Sequence, residues 1–253
     1  MFLNNTTCDL YMGTGAGKKL LKDIDNAKQS VKILSPYLSP SLVQKLIGLK
    51  HLGVDVQLIT TDTIEDFYGD WKRNIHELIQ QRTHKDPKAE SQRKRWKKIR
   101  VVVNGLAILL LGLLIWLVFT FQNLEATWLL IPTVTIVLIG QFLKTKIKKK
   151  RVFSYTYTQL FPFKVVMSPS TKPYGGLFLH GKTYIIDDKI AYLGSLNFTN
   201  NGTKNNYESR IRLTGIESVQ MIVEEFNRLL NHDTLPEVCI QSWGSTLYPE
   251  PMN

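Results

Sequence analysis

The stretch LHGKTYIIDDKIAYLGSLN (residues 179–197) holds an imidazole, an ammonium, a hydroxyl and a carboxamide at short spacings. It predicts two paired strands, and His180 and Lys182 share one face of the first because residues two apart on a strand point the same way. Ser195 and Asn197 close the second strand. An ammonium beside hydroxyl and amide donors binds a tetrahedral anion well. These residue types therefore predict an anion site next to an imidazole.

Three more residues belong to the predicted site. Asn206 supplies a second carboxamide at the start of the next strand, and Glu208 supplies a carboxylate that can fix the tautomer of His180 and raise its nucleophilicity. Asp187 ends the first strand, in the turn Asp187-Asp188-Lys189 that joins the pair. We expect neither a metal nor any other cofactor, because no cluster of His, Cys or Asp has metal-ligand spacing.

The elements that must position these residues alternate between strand and helix, so the predicted fold class is α/β with a parallel unit. Ser39 is the expected N-cap of the second helix, and Gly53 its stop. GTGAGKK (13–19) is similar to a phosphate loop, but Met12 occupies the first glycine position of that motif, so we interpret it as a flexible lead into the first helix. The predicted elements are helices over 18–27, 40–53, 63–85 and 216–231, strands over 31–36, 54–62, 176–187, 189–195 and 207–215, mixed strand and loop over 153–170, and an irregular tail beyond residue 236.

The formal net charge of +11 is concentrated in two short runs. Residues 93–100 (RKRWKKIR) and 144–151 (KTKIKKKR) each hold six Lys or Arg and no acid, and the rest of the chain is close to neutral. Between them lie two apolar stretches, which predict membrane-spanning helices over about 100–121 and 126–143. We disfavour a buried soluble hairpin, because little else in the chain could cover helices that are apolar on every face.

Basic residues on both outer flanks, against a turn that holds only Glu125, predict an integral, two-pass membrane protein with both termini in the cytoplasm. No signal peptide is apparent at the N-terminus. Cys8 and Cys239 are expected to be free thiols, because a reducing cytosol disfavours disulfides.

The order His-x-Lys, four residues, Asp, six residues, Gly-Ser-x-Asn resembles the signature of the phospholipase D superfamily, and Asn206-x-Glu208 looks like the second element of that family. The resemblance covers about residues 10–80 and 153–232, on either side of the apolar hairpin. It implies a mixed sheet flanked by helices, in which Asp187 is supportive rather than a direct participant. The implied domains are the two parts of a catalytic domain, 1–85 and 152–253, and an inserted hairpin, 86–151. The signature positions in this chain are His180, Lys182, Asp187, Gly194, Ser195 and Asn197.

The resemblance further implies a phosphodiesterase that needs no metal. His180 attacks phosphorus to form a phosphohistidine intermediate, which water or another alcohol releases. Lys182 and Asn197, with Ser195 alongside, hold the non-bridging oxygens, and Glu208 orients His180. A second histidine must protonate the leaving group. Because this chain carries one signature, the resemblance implies a homodimer in which each chain gives its own His180 and Lys182.

Two substrate classes and one inactive alternative remain open. Phospholipid head-group hydrolysis or transfer is favoured, because the hairpin would hold the catalytic domain against membrane lipids. The alternative is a nuclease acting on DNA or RNA, and the near-neutral soluble part argues mildly against it, although the basic flanks could serve nucleic acid or anionic lipid equally. The third interpretation is a catalytically silent membrane scaffold.

Overall fold

The computed structural model describes residues 4, 6–61, 78–121, 124–167, 179–232 and 237–252. The chain divides into two compact units. We call the first, Met1–Gln81 with Tyr157–Tyr248, the sheet unit, and the second, Arg82–Thr156 with Pro249–Asn253, the hairpin unit.

The strands of the described residues confirm the mixed α/β architecture that the sequence predicts. They are β1 (Asp9–Thr14), β2 (Ser30–Leu34), β3 (Asp55–Thr61), β4 (Ile79–Lys85), β5 (Phe153–Gln159), β6 (Phe163–Val166), β7 (Thr183–Ile186), β8 (Ile190–Gly194) and β9 (Tyr207–Leu213). Seven of them form one sheet in the order β1-β9-β8-β7-β2-β3-β6, and β4 pairs with β5 separately. The pairs β2–β3 and β3–β6 are parallel, and the other pairs of the large sheet are antiparallel.

The helices of the described residues are α1 (Gly17–Asp25), α2 (Pro40–His51), α3 (Pro87–Phe121), α4 (Leu130–Lys149), α5 (Asn200–Lys204), α6 (Ile216–Leu230) and α7 (Ile240–Leu247). Helix α6 covers the sheet as its periodicity predicts. Its residues Val219, Ile222, Val223 and Phe226 are buried in one cluster with strand residues such as Ile185. Burial of each such side chain contributes about 1.5–3 kcal/mol, so this face fixes the strands that carry the signature.

Several described segments differ from the predicted elements. Ile79–Lys85 is a strand and not the end of a helix, because the alternating stretch FSYTYTQ supplies it with a pairing partner. Asp9–Thr14 is an edge strand that we did not predict, since most of its residues are exposed and show no apolar alternation. Ile240–Leu247 is a helix where we expected an irregular tail, and it buries Trp243. Residues 62–77 and 168–178 of the predicted helix and strands lie outside the described residues.

The hairpin unit consists mainly of α3 and α4, joined through a 3₁₀ segment at Leu124–Leu129. The two helices pack against each other, and a Cβ at Gly140 would lie only 2.7 Å from Asn104 Oδ1, so the glycine gives the Asn104 amide its space. Only 11% of the apolar window of each helix is buried within the structure. By length and composition, both helices can cross a membrane.

Candidate active site

His180 and Lys182 lie in the connection that leads into β7 and not within a strand, which corrects the prediction. Lys182 Nζ nevertheless lies 2.9 Å from Nδ1 and 3.0 Å from Nε2 of His180, and it donates to the His180 carbonyl oxygen at 2.8 Å. An ammonium has only donors, so the imidazole nitrogen that it contacts acts as an acceptor. The contact places the Lys182 ammonium directly beside the ring that would act as the nucleophile.

Lys182 is a buried cation, with 6% of the residue exposed, whereas His180 is exposed. Burial lowers the pKa of Lys182, and the charge of Glu208 opposes that shift. None of the ion pairs between described residues includes Lys182, whereas the equally buried Lys32 contacts Asp188. Since no described carboxylate neutralises the Lys182 ammonium at contact distance, the pair of His180 and Lys182, which we call the histidine–lysine pair, favours an anion.

The second group of polar residues surrounds Glu208. Ser195 Oγ donates to Glu208 Oε2 at 2.5 Å, and Asn206 Nδ2 donates to Glu208 Oε1 at 3.2 Å. The Ser209 N–H donates to Ser195 Oγ at 3.0 Å. Both carboxylate oxygens of the buried Glu208 thus have a donor, which fixes the positions of Ser195 and Asn206. We call Ser195, Asn206 and Glu208 the serine–glutamate cluster.

Sheet topology brings the pair and the cluster to one edge. β7 begins at Thr183, β8 ends at Gly194 and β9 begins at Tyr207. Because β8 is antiparallel to both of its neighbours, these three strand ends lie at the same edge, by which we mean the side of the sheet that the strand termini form. The contacts of the Glu208 carboxylate go to Ser195 and Asn206, so its predicted role in orienting His180 stays a prediction.

Gly194 of the signature makes a close backbone approach possible. A Cβ at this position would lie 2.2 Å from the carbonyl oxygen of Ser209, and φ of Gly194 is 158°. The next residue, Ser195, donates its N–H to that same carbonyl at 3.1 Å. Glycine is therefore required where β8 turns Ser195 toward Glu208.

Asn197 lies in a loop that other residues hold in place. Tyr184 donates its hydroxyl to the Leu196 carbonyl at 2.6 Å, and the Phe198 N–H donates to Ser35 Oγ at 2.9 Å. Burial raises the pKa of Tyr184, which keeps the hydroxyl protonated as a donor. Asn197 Oδ1 is buried and has no hydrogen-bond partner within the described part of the chain. The unpaired atom is an acceptor, so the group of Asn197 that could donate to a phosphate oxygen is its Nδ2 amine.

Asp187 is distant from this edge, although it belongs to the signature. It accepts the backbone N–H groups of Lys28 at 3.0 Å, Gln29 at 2.6 Å and Ser30 at 2.9 Å. Burial raises the pKa of Asp187, but these three hydrogen bonds outweigh it and the net pKa is lowered. It lies at the far end of β7, about 16 Å along the strand from Lys182. The structure therefore gives Asp187 an anchoring contact outside the assembled site.

Sequence reasoning missed two supporting serines. Ser39 stands at the N-cap position of α2, but its side chain makes no hydrogen bond to that helix and accepts the Asn200 N–H at 2.9 Å. Ser35 donates to the Tyr37 carbonyl at 2.8 Å while it accepts from Phe198. No local pattern could have assigned them, because both contacts join segments about 160 residues apart.

The described residues contain no group of three His, Cys, Asp or Glu residues that could hold a metal ion. Of the other histidines, His51 ends α2 and is exposed, and His84 lies on β4 with its Nε2 2.8 Å from Thr156 Oγ1. His76 lies outside the described residues. Neither His51 nor His84 approaches the signature through any contact that the structure describes. Cys8 and Cys239 are free and exposed, as predicted.

Comparison with known proteins assigns the chain to a family. A family model described as cardiolipin synthase, PLD-like domain, matches residues 20–230, which include every residue of the site. No curated protein matches the chain.

Three solved structures are similar to this chain at low identity. NucT from Helicobacter pylori is 15% identical, with 92% of this chain and 99% of that chain covered and a TM-score of 0.46. A phospholipase D family member, Nuc from Salmonella typhimurium, is 14% identical, with 92% and 99% covered and a TM-score of 0.42. Phosphatidylserine synthase from Haemophilus influenzae Rd KW20 is 11% identical, with 94% and 41% covered and a TM-score of 0.41. All three scores lie below 0.5, so the assignment depends on the family model.

Proposed function

We propose, because this chain belongs to the family described as cardiolipin synthase, PLD-like domain, that it is a membrane-anchored phosphodiesterase that works through a phosphohistidine intermediate at a homodimeric site. One observation carries the proposal: the buried Lys182 ammonium lies within 3.0 Å of both ring nitrogens of His180. The catalytic domain comprises residues 1–85 and 152–253, and residues 86–151 form the inserted membrane hairpin.

In the first step a ring nitrogen of His180 attacks the phosphorus of a phosphodiester. The N–P bond forms, and the P–O bond to the leaving alcohol breaks. Lys182, Ser195 and Asn197 hold the non-bridging oxygens, on which negative charge grows in the transition state. Glu208 orients the attacking ring and offsets part of the positive charge that the pair of His180 and Lys182 collects as the N–P bond forms.

The leaving alkoxide needs a proton, and the chain has no second His-x-Lys sequence to supply it. We propose that the partner subunit's His180 gives this proton as an imidazolium. In the second step water, or an alcohol in a transfer reaction, loses a proton to that imidazole and attacks the phosphohistidine. The N–P bond then breaks and both histidines return to their starting states. Two-fold symmetry places two histidine–lysine pairs in one site.

A phospholipid is the substrate class that we favour. The exposed apolar helices α3 and α4 support insertion into a bilayer, since only 11% of each apolar window is buried within the structure. Their outer flanks are basic, which supports our proposal that both termini are cytoplasmic. A catalytic domain tethered there meets phospholipid head groups at high local concentration. The family description, which names cardiolipin synthase, agrees with this substrate class.

The alternative substrate is DNA or RNA. Nuc and NucT are similar in structure but fall below the score at which similarity carries an argument. Apart from the two basic runs at the hairpin, the formal charge of the chain is close to neutral, which argues mildly against a nucleic-acid backbone as the substrate. A silent scaffold is the third possibility, and the intact histidine–lysine pair argues against it.

The test is a side-by-side assay of the full chain in detergent with a chelator present. Labelled phosphatidyl lipids, single-stranded nucleic acid and duplex DNA are offered to the wild type and to His180→Ala, with exposed His51→Ala as the matched control. The proposal expects release or transfer of a lipid head group, retained in His51→Ala and abolished in His180→Ala. Cleavage of nucleic acid alone would overturn the lipid proposal and establish nuclease activity. Absence of turnover with every substrate would overturn catalysis and favour the catalytically silent scaffold.

A further inference from the structure

The hairpin unit contains a groove between α3 and α4 that the proposed catalysis does not use. It is lined by Lys97, Arg100, Val101 and Asn104 of α3 and by Ile147 of α4, and it encloses about 610 Å³ including its open mouth. The four α3 residues follow the three-to-four-residue spacing of one helical face. Ile147 is buried on the opposite wall. One surface of the groove is therefore cationic and the other apolar.

The groove lies where charged and apolar segments meet on both helices. On α3 the basic run ends at Arg100 and the apolar run starts at Val101, and on α4 the apolar run gives way to basic residues from Lys144 onward. In a membrane-spanning helix this junction lies at the level of the lipid head groups. Trp96 supports this depth, because Lys146 and Lys150 each lie 5.8 Å from its ring centre, and tryptophan concentrates at membrane interfaces.

The walls of the groove are held at fixed positions. Arg93 Nε donates to the Ile147 carbonyl at 3.4 Å, which joins α3 to the last turns of α4. Farther into the apolar segment, the Asn104 amide sits over Gly140, the position at which an added Cβ would be 2.7 Å away. The groove therefore lies between a hydrogen bond that joins the two helices and the close approach of the Asn104 side chain to Gly140.

The electrostatics of the groove favour an anion. Arg100 Nε is buried and has no acceptor among the residues that the structure describes. Lys97, one turn earlier on α3, is exposed and adds a second cation at the mouth. The sequence has no Asp or Glu between Glu90 and Glu125, or from there to Asp187. No acidic side chain of these segments can therefore satisfy Arg100.

We infer that this groove binds the head group of an anionic phospholipid. The lipid phosphate lies against Arg100 and Lys97, Asn104 offers an amide donor, and the glycerol and first acyl carbons lie against Val101 and Ile147. Basic pockets between transmembrane helices on the cytoplasmic side recognise anionic head groups in this way. The inference rests on the proposed function only for the membrane placement of the hairpin, and it makes the basic flank a specific binding site besides a determinant of topology.

Native mass spectrometry of the full chain in an uncharged detergent tests the inference. Every variant carries His180→Ala, so that no lipid is turned over. Phosphatidylglycerol and phosphatidylcholine are titrated separately into four proteins. These are the chain with an unchanged groove and the variants Arg100→Gln, Lys97→Gln and Lys98→Gln. Lys98 is the matched control, because it is an exposed cation of the same helical segment that does not line the groove.

We expect phosphatidylglycerol to be retained in preference to phosphatidylcholine, Arg100→Gln to weaken its retention about fivefold, and Lys98→Gln to change it less than twofold. Lys97→Gln, with an exposed side chain, should weaken retention about threefold and keeps the test decisive if Arg100→Gln does not fold. Equal retention of the two lipids, or equal losses in Lys97→Gln and Lys98→Gln, would overturn the inference. Carbonate extraction of membranes reports separately on placement: release of the chain would overturn both the anchoring and the groove, whereas a loss of catalysis alone leaves lipid retention intact.

Discussion

The two units use positive charge in opposite ways. In the sheet unit, buried or half-buried cations have individual partners: Lys32 Nζ lies 2.6 Å from Asp188, Lys164 Nζ donates to the His232 carbonyl at 2.6 Å, and Arg212 Nε lies 3.2 Å from Asp23. In the hairpin unit, most cations of the two basic runs are exposed and the runs contain no acid. Buried charges must be compensated one by one, whereas exposed charges act together as a field.

Lys182 is buried, as Lys32 is, but no described carboxylate contacts it. Within the described residues it contacts an imidazole and a carbonyl instead. A buried charge that no opposite charge contacts is costly, and such groups concentrate at functional sites. The comparison thus separates cations that hold the fold from the cation that we expect to act on a substrate.

The largest expected effect comes from Lys182→Met. It removes the ammonium that holds the non-bridging oxygens, so we expect kcat to fall by about 10³-fold or more while the protein stays folded. Lys32→Met is the matched control, because it removes an equally buried lysine from β2, the strand that pairs with β7. It should lower the free energy of unfolding but keep kcat per folded molecule within a few fold. Similar losses of kcat in the two variants would contradict the claim that Lys182 acts on the substrate whereas Lys32 stabilises the fold.

Ser195→Ala should have the next largest effect. It removes a donor to Glu208 and an acceptor of the Ser209 N–H, and we expect kcat to fall about 10- to 100-fold with a smaller change in KM. Ser209→Ala keeps the backbone N–H and should change kcat by less than about threefold. Steady-state kinetics of both variants measure the difference. A larger loss in Ser209→Ala would show that Ser195 only supports the loop.

Asp187→Asn should act on stability and not on chemistry. Its folded pKa is lowered, so the stabilisation is present above the unfolded pKa of about 4 and is lost as pH falls through the folded pKa. We expect a loss of about 2 kcal/mol at neutral pH and a weaker pH dependence of unfolding below about pH 4. Denaturant unfolding across pH measures this, with exposed Asp55→Asn as control. A loss of kcat without a loss of stability would contradict an anchoring role.

Gly140→Ala in the hairpin unit should have the smallest effect. The added Cβ meets the Asn104 side chain at 2.7 Å, which can shift, so we expect a loss of about 1 kcal/mol or less in thermal unfolding and no change in kcat. Gly112→Ala is the control, since its Cβ would have no described atom within 4 Å. A change in kcat in Gly140→Ala alone would show that hairpin packing controls the site.

Local patterns were sufficient for the elements that carry their own signals. The apolar spacing of 216–231 predicts α6, and the turn at Asp187 forms with φ of 54° there and 53° at Asp188. Ser39 and Gly53 bracket α2, whose Pro40 begins the helix. In these segments, side-chain periodicity and turn chemistry agree with the final packing.

Sequence patterns failed where the partner of a segment lies far away in the chain. Ile79–Lys85 becomes a strand because β5 pairs with it across the whole hairpin, and β1 forms because it pairs with β9. The side chain of Ser39 serves Asn200 and not its own helix. In the site, the sequence predicts that Asp187 ends a strand, but the antiparallel order of β7, β8 and β9 is needed to bring together the strand ends next to Lys182, Ser195 and Asn206. Tertiary pairing overrides local propensity in each case.

The central claim is that His180 becomes covalently bonded to phosphorus during turnover. The most direct measurement is a quench of the full chain in alkaline denaturant, milliseconds after mixing in detergent with a phospholipid labelled at its phosphate, followed by peptide mapping at alkaline pH. The account predicts an acid-labile, base-stable label on the peptide that contains His180, absent in His180→Ala and present in His51→Ala. A chain that turns over substrate while this peptide stays unlabelled, or that carries the label on another residue, would contradict it.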